Sequence, residues 1–480
     1  MNIHQKKSLG QLISKAIHEP GSSPVIIFAR NGESTSGPGL QSLIQNYARK
    51  LVNYSTGTKV LILSGANKHT LAFMLAAMHT GVIPLLINPG SGWINAIRII
   101  RLLKPRLAFT GENPSFLKSS LISLFFSTVK KVRPAPGEVR ERMGVTAFIS
   151  FSSGSSGTPK AIVRTHEKLL AQHAALNRCF PPMANQVDCS VFPAVIFHNL
   201  CNGTPTVLPS VHDNDIRKSN AAAIASDIQR YKVTTLSANP AFYQLLVNYH
   251  THNKLTFPAV LKTAVGGAPV SNALAQGITN LFPNAENVVL YGSTEAEPIS
   301  FLPLCEVMEA QENNKGYCVG RIATGTEVQL IHPDTGKITD GVGEVVVRGD
   351  HVIMPSAVTS NQVFTDHENN LWLKTGDVGY FSADGLLFLV GNTRNYFNIS
   401  GTFPYELEKQ LDRLPGVTRS ATFVKNNVLR VVLEGTVNNE QAIKKILPAT
   451  RQPIITRIKS MPVDRRHRSK INYLKLMHGK

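Results

Sequence analysis

In the first half of the chain, apolar residues come in short continuous runs rather than alternating with polar ones. Residues 59–65 (Lys-Val-Leu-Ile-Leu-Ser-Gly) make one such run, closed by glycine, and 82–88 (Val-Ile-Pro-Leu-Leu-Ile-Asn) make a second. Runs of this kind belong to strands covered on both faces, as in parallel sheets. The stretch 70–79 between them reads as helix, so 59–88 predicts a βαβ unit, and 94–110 predicts a further helix–strand alternation. A strand is expected over 189–192, a helical turn near His198 and a strand over 206–208. Then come a helix over 221–231, a strand over 234–238 and a helix over 240–249. After about residue 325 the pattern changes. Glu327-Val-Gln-Leu-Ile, the turn His332-Pro-Asp-Thr-Gly and the run 343–350 alternate as an antiparallel hairpin does. The tail from 392 reads as helix (405–414), two strands, helix (438–447) and a basic end. The expected fold class is α/β: a large N-terminal domain of mostly parallel sheets with helices and a β-rich subdomain (1–391), then a small α+β C-terminal domain (392–480).

Composition narrows the partners. Of 480 residues, 42% are hydrophobic and 17% charged, enough for large cores and too apolar for global disorder. The formal charge of +19 gathers at Arg98/Arg101/Lys104/Arg106, at Lys130/Lys131/Arg133 and in the run 465–470. Such a charge suits polyanions (ATP, CoA, an acidic carrier protein) or an anionic membrane surface at the periphery of a bilayer. No zinc finger, helix-turn-helix or aromatic RNA-binding motif accompanies it, so nucleic acid is not expected. The N-terminus lacks the apolar core of a signal peptide, and His79, Gly81 and Pro84 interrupt the most apolar window, so no transmembrane segment is expected. The five Cys form no Cys-x-x-Cys pair and fit the thiols of a reducing cytosol; a cytoplasmic location is expected.

The chemistry centres on one loop. An apolar strand (147–151) leads into Ser152-Ser153-Gly154-Ser155-Ser156-Gly157-Thr158-Pro159-Lys160, and the chain returns as Ala161-Ile162-Val163. Glycines let backbone N–H groups approach an anion, hydroxyls add donors and the lysine adds a point charge, so the loop suits the phosphates of a nucleotide. It is not the ordinary P-loop, because Thr158 and Pro159 separate the second glycine from Lys160. Further along, 265–271 (Val-Gly-Gly-Ala-Pro-Val-Ser) follows a strand and opens a helix. The apolar 288–290 runs into Tyr291-Gly292-Ser293-Thr294-Glu295, and Thr375-Gly376-Asp377 follows later.

In this order the motifs resemble those of the adenylate-forming superfamily: acyl-CoA synthetases, luciferases and peptide-synthetase adenylation domains. The ending and the hinge look most like the fatty-acyl ligase-like subgroup that includes β-lactone synthetases of olefin biosynthesis. The resemblance spans essentially the whole chain. It implies that residues 152–158 and Lys160 hold ATP phosphates and that Gly267-Ala268-Pro269 flanks adenine. Tyr291 would stack on adenine beside Gly292, Thr294 would bind the α-phosphate and Glu295 would hold Mg²⁺. Asp377 would accept from the ribose hydroxyls, Arg394 would approach ribose or phosphate, and Lys470 would be the catalytic lysine bridging acyl carboxylate and ATP. It also implies that the C-terminal domain is a mobile lid. The chain departs from the pattern at Ala161, Ser156 and Ser469. In the hinge, Asn392 and Asn398 stand where the family has Arg and Lys. His198 fits either a pocket histidine or a buried structural one.

The implied reaction joins a small carboxylic acid, fatty or 3-hydroxy fatty, to AMP, with ATP and Mg²⁺ as cofactors. A thiol acceptor, CoA or a phosphopantetheinyl acyl carrier protein, is preferred for the second step. Closure by the substrate's own β-hydroxyl to a β-lactone is the alternative, and a nucleotide-binding accessory protein without turnover is the reading from outside enzymology. Because the family uses the hinge in thioester formation, the hinge asparagines put CoA transfer in question.

Overall fold

The computed structural model describes the chain outside residues 1–7, 19–22, 88–92, 112–126, 129–134, 138, 140–141, 143, 154–158, 213–215, 356–361, 438, 449–452, 464–469 and 479–480, and only the backbone at 93–96, 127–128, 152–153 and 159–160. It divides into two compact units. The first comprises residues 1–214, 222–237 and 355–357, the second residues 215–221, 238–354 and 358–480.

In chain order the first unit holds α1 (Leu9–His18), β1 (Pro24–Phe28), β2 (Glu33–Ser36), α2 (Gly37–Leu51), β3 (Lys59–Ile62), α3 (Lys68–Thr80), β4 (Ile83–Leu86), α4 (Trp93–Leu103), β5 (Leu107–Phe109) and β6 (Ser127–Thr128). It continues with β7 (Thr146–Ser153), β8 (Pro159–Thr165), α5 (His166–Cys179), β9 (Asp188–Ser190), α6 (Pro193–Cys201), β10 (Thr206–Leu208), α7 (Ala221–Arg230) and β11 (Thr235–Ala238). One sheet runs β6-β5-β3-β4-β7-β8, parallel except for the β7–β8 hairpin. In the other, β11, β9, β10 and β1 are parallel neighbours and β2 closes the edge antiparallel. The continuous apolar runs end up where their patterning requires: Val60, Leu61 and Leu85 are buried between layers, and α3 is buried along most of its length. Asn67 caps α3 by accepting from Thr70 N at 2.9 Å, and Gly81 in the left-handed region ends it.

The second unit holds α8 (Pro240–Asn253), β12 (Lys262–Gly266), α9 (Asn272–Leu281), β13 (Glu286–Tyr291), β14 (Ser300–Pro303), α10 (Leu304–Asn313), β15 (Tyr317–Ile322), β16 (Thr326–Ile331), β17 (Gly343–Gly349), β18 (Val363–Thr365), β19 (Leu371–Phe381) and β20 (Leu387–Asn392). After these come α11 (Pro404–Leu411), β21 (Val417–Lys425), β22 (Val428–Gly435), α12 (Glu440–Ile446), β23 (Ile454–Ile458) and α13 (Tyr473–His478). β12 and β13 are parallel; from β13 onward the order β14-β15-β20-β19-β17-β16 is antiparallel throughout, with β18 on β19. The antiparallel part thus begins at β14, ahead of the change of pattern expected after residue 325. The tail carries a sheet of its own, β21-β22-β23.

The expected βαβ units, the hairpin of 327–350 and the mixed α/β class are all present. Two tail elements escaped sequence reading, β23 and α13. Ile454-Ile-Thr-Arg-Ile is short and half exposed, and pairs parallel to β22 only because the chain crosses back over. α13 is six residues in a basic end, too short to show a period.

Candidate active site

In the second unit the implied nucleotide residues leave the sheet together. β12 and β13 run parallel in register, Gly266 opposite Leu290, so both release their loops at the same edge. The first loop is Gly267-Ala268-Pro269, the second Gly292-Ser293-Thr294-Glu295. Gly266 allows this closeness: a Cβ there would meet Leu290 O at 2.5 Å. Gly267 turns the chain at φ +88°, and Ser271 then caps α9 by accepting from Leu274 N at 3.2 Å. Loops at the carboxyl ends of adjacent parallel strands are where open α/β sheets bind ligands.

Tyr291 is the last residue of β13 and is buried. Its hydroxyl donates to Asp377 Oδ2 at 2.8 Å. Burial, followed by the Asp377 carboxylate, pushes that hydroxyl well above its usual pKa, so it remains a donor. Asp377 is placed by β19. Its N–H donates to Thr375 Oγ1 at 3.1 Å, and Thr375 Oγ1 in turn donates to Val345 O at 2.9 Å. Gly376 turns at φ +79°, with its carbonyl accepting from Thr393 N at 2.8 Å. Asp377 pairs with Asn392 across β19–β20, which brings the hinge beside it. Arg394 follows two residues on; partial desolvation pulls its guanidinium below the ordinary value, and the Asp377 carboxylate pulls it back.

Glu295 rides a tight turn. Ser293 N donates to Ala296 O at 2.7 Å, Glu295 N to Ser293 Oγ at 3.3 Å, and Glu295 O accepts from Ile353 N at 2.8 Å. These bonds use the backbone of Glu295 and not its carboxylate, and the residue is half-buried. Among the described residues no three His, Cys, Asp or Glu side chains gather as a preformed metal cage. A single carboxylate completed by phosphate oxygens and water fits Mg²⁺, which seldom uses an all-protein cage.

Lys470 is exposed and belongs to the tail. Its neighbour Ile471 bridges to Val463, and Asn472 N donates to Pro462 O at 2.8 Å. Tyr473, three residues on, reaches the buried Glu408 and donates to its carboxylate at 2.9 Å from each oxygen. Thr422 N adds a donor at 2.6 Å and Thr422 Oγ1 another at 3.2 Å. Burial first, with Asp412 adding to it, pushes Glu408 up to about 8 against these bonds. Sequence reasoning missed this anchor, since 65 residues separate its partners and neither belongs to a motif.

The first unit carries the Ser/Gly loop. Its flanks form the expected hairpin, with Ser152 opposite Lys160 and Ser153 opposite Pro159. Gly154, Ser155, Ser156, Gly157 and Thr158 lie outside the described residues. His198 is buried on α6, and its Nδ1 sits 3.1 Å from His173 Nδ1 on α5. Asn177 Nδ2 lies 3.2 Å from His173 Nε2 and Asn202 Nδ2 lies 3.4 Å from His198 Nε2, so the two rings and two amides form one polar cluster. Burial, then the His173 charge, pushes His198 down to about 3. A buried ring disfavoured from charging and held between α5 and α6 fits the structural alternative. The five Cys are free thiols; Cys305 is exposed and Cys189, Cys201 and Cys318 are buried.

This arrangement defines an α/β protein whose strand ends are built around a nucleotide-type constellation of aromatic ring, carboxylates and glycine turns. The AMP-binding enzyme family model matches residues 14–355, and the chain belongs to that family of acyl-adenylate-forming ligases. It is 26% identical over 439 residues to "4-coumarate--CoA ligase-like 6" of Oryza sativa subsp. japonica, covering 84% of this chain and 73% of that one. It is 28% identical over 412 residues to "Olefin beta-lactone synthetase" of Stenotrophomonas maltophilia, covering 76% and 73%. Among solved structures, O-succinylbenzoate Coenzyme A Synthetase from Bacillus subtilis in complex with AMP matches at a TM-score of 0.80 and 18% identity over 97% of this chain and 98% of that one. The same enzyme in complex with ATP and magnesium ion matches at 0.78 and 17%, over 95% and 97%. These structures share the fold. No helix among the described residues is long and apolar enough to cross a membrane.

Proposed function

We propose that the protein activates a fatty or 3-hydroxy fatty acid by adenylation. The substrate carboxylate oxygen attacks the α-phosphorus of ATP, the α–β P–O bond breaks, and its electron pair leaves with pyrophosphate, giving acyl-AMP. The observation supporting this reading is the release of Gly267-Ala268-Pro269 and Tyr291–Glu295 at one edge of adjacent parallel strands, with Asp377 held by the Tyr291 hydroxyl. The Tyr291 ring offers a face to adenine, and the second oxygen of Asp377 has lone pairs for ribose hydroxyls. Glu295 is the residue for Mg²⁺, which when bound neutralises phosphate charge. Thr294 and the 152–160 loop contribute hydroxyl, N–H and lysine donors. Lys470 offsets the repulsion between carboxylate and α-phosphate as they meet.

The second step is acyl transfer to a thiol of CoA or of a phosphopantetheinyl carrier protein: the C–S bond forms as the bond to AMP breaks. A second reading is attack by the substrate's own β-hydroxyl, giving a β-lactone and AMP. The relative of that name and the hinge asparagines favour it.

Acid-dependent exchange of labelled pyrophosphate into ATP, run across fatty, 3-hydroxy and aryl acids, tests the first step. Exchange with one acid class is expected; none with any acid would leave a nucleotide-binding accessory protein. Lys470→Ala should lower exchange by roughly 10²-fold. Glu295→Gln should raise the Mg²⁺ concentration needed for half-maximal exchange.

A further inference from the structure

The first unit carries a basic surface that the adenylation site does not use. Between Glu33 and Glu138 the only acidic residue is Glu112, against twelve Lys and Arg. Within that stretch α4 puts charge and apolar side chains on one face. At about 100° per residue, Ile97, Arg101, Arg98 and Leu102 follow one another across a single arc of the helix. All four are exposed, Leu102 by 70% and Ile97 by 46%. The opposite arc is the packed one: Ile99 is 2% exposed, and Ile100 and Leu103 join it against Leu61, Leu85 and Ile149. Lys104, at φ +46°, ends the helix, and Arg106 follows, its N–H donating to Lys59 O at 3.1 Å. Three more cations therefore stand at the end of α4, beside the start of β3.

Cations near a helix C-terminus complement its dipole, which accounts for Arg101 and Lys104. It does not account for two large aliphatic side chains held in water on either side of the arginines. A solvated face would not place them there, and a nucleic-acid surface would interleave polar or aromatic groups instead. Exposed aliphatics flanking cations suit a surface that is apolar below and anionic above, which is the headgroup boundary of an anionic bilayer.

We propose that the exposed face of α4, with Lys59, Lys104 and Arg106, docks the protein on anionic lipid. Cosedimentation of the full chain with vesicles of phosphatidylcholine alone, or mixed with phosphatidylglycerol, tests this. Binding should be confined to the mixed vesicles and weaken as salt rises. Arg98→Glu with Arg101→Glu should reduce it at least about tenfold. Ile97→Ser with Leu102→Ser should also reduce it while leaving the salt dependence in place. Pyrophosphate exchange, unchanged in both variants, reports that they are folded. Equal binding to the two vesicle types, or charge-reversed protein binding as well as wild type, would overturn the proposal. So would loss of a dimer in sedimentation velocity on the same substitutions, which would make this face a contact between copies of the chain.

Discussion

Tyr291 makes two demands on one side chain. Its ring is the proposed adenine platform, while its hydroxyl is committed to Asp377. Tyr291→Phe keeps the ring and the Asp377 carboxylate and removes only the hydroxyl that holds Asp377 Oδ2, so the KM for ATP should rise only a few-fold. Asp377→Ala removes the proposed ribose acceptor outright. Hydrogen bonds to a charged group are worth about 1.5–3 kcal/mol, so the KM for ATP should rise by about 10–100-fold. Exchange kinetics at varied ATP separates the two. Equal damage from both substitutions would show that the hydroxyl meets the nucleotide itself. The motif was legible in sequence at both residues; their contact, 86 positions apart, was not.

At the scale of elements, Lys470 depends on what holds its segment. α13 is short and α11 is distant in sequence, and the Tyr473–Glu408 contact joins them. Tyr473→Phe should therefore lower exchange with little change in the KM for ATP, because it loosens the lysine and leaves the nucleotide contacts alone. Glu408 also predicts a pH dependence. Its carboxyl is pushed from 4.5 up to about 8 in the folded protein, so between those values the folded state keeps a proton that the unfolded chain has lost. The stability it contributes is fully present below the ordinary carboxylate value and is lost as pH rises toward about 8, with a limiting slope of about 1.4 kcal/mol per pH unit. Thermal melts across that range should show a falling midpoint, and Glu408→Gln should flatten the fall.

At the scale of the molecule, the proposed hinge is expected to decide the fate of the acyl-adenylate. Asn392 and Asn398 do more than lack positive charge. Asn392 Oδ1 accepts from Arg394 N at 3.0 Å, and Asn398 Oδ1 from Gly401 N at 2.9 Å, so both side-chain oxygens bond within their own turns. Any rotation of 392–480 against the preceding strands must also break contacts of α11. Buried Lys409 donates to Gln311 O at 3.0 Å and to Gly316 O at 3.3 Å, and Glu406 Oε2 accepts from Gly316 N at 3.2 Å. Acyl-AMP formation should therefore survive better than transfer to CoA, and CoA should accelerate turnover weakly. Mass spectrometry of products from a 3-hydroxy acid, with and without CoA, reads this directly. Fast, saturable acyl-CoA formation would refute weak transfer. A CoA-independent product of substrate mass minus water would identify the lactone route and end the preference for a thiol.

What the sequence determined by itself is local: which segments are strand or helix, and which short motifs follow strand ends. Continuous apolar runs can be buried only in a layered sheet, and Tyr291-Gly-Ser-Thr-Glu or Thr375-Gly-Asp carries its proposed chemistry within a few residues. Tertiary structure decided everything that needs two distant segments at once. The parallel register of β12 and β13 put two loops at one edge, β19–β20 pairing set the hinge beside Asp377, and β23 found its place only by lying along β22. His198 was ambiguous along the chain because a buried histidine and a pocket histidine look alike until a neighbour is present. His173 at 3.1 Å supplied that neighbour. Glu408 and Tyr473 left no trace in spacing, because a hydrogen bond across a core depends on distance in space, which chain order does not record.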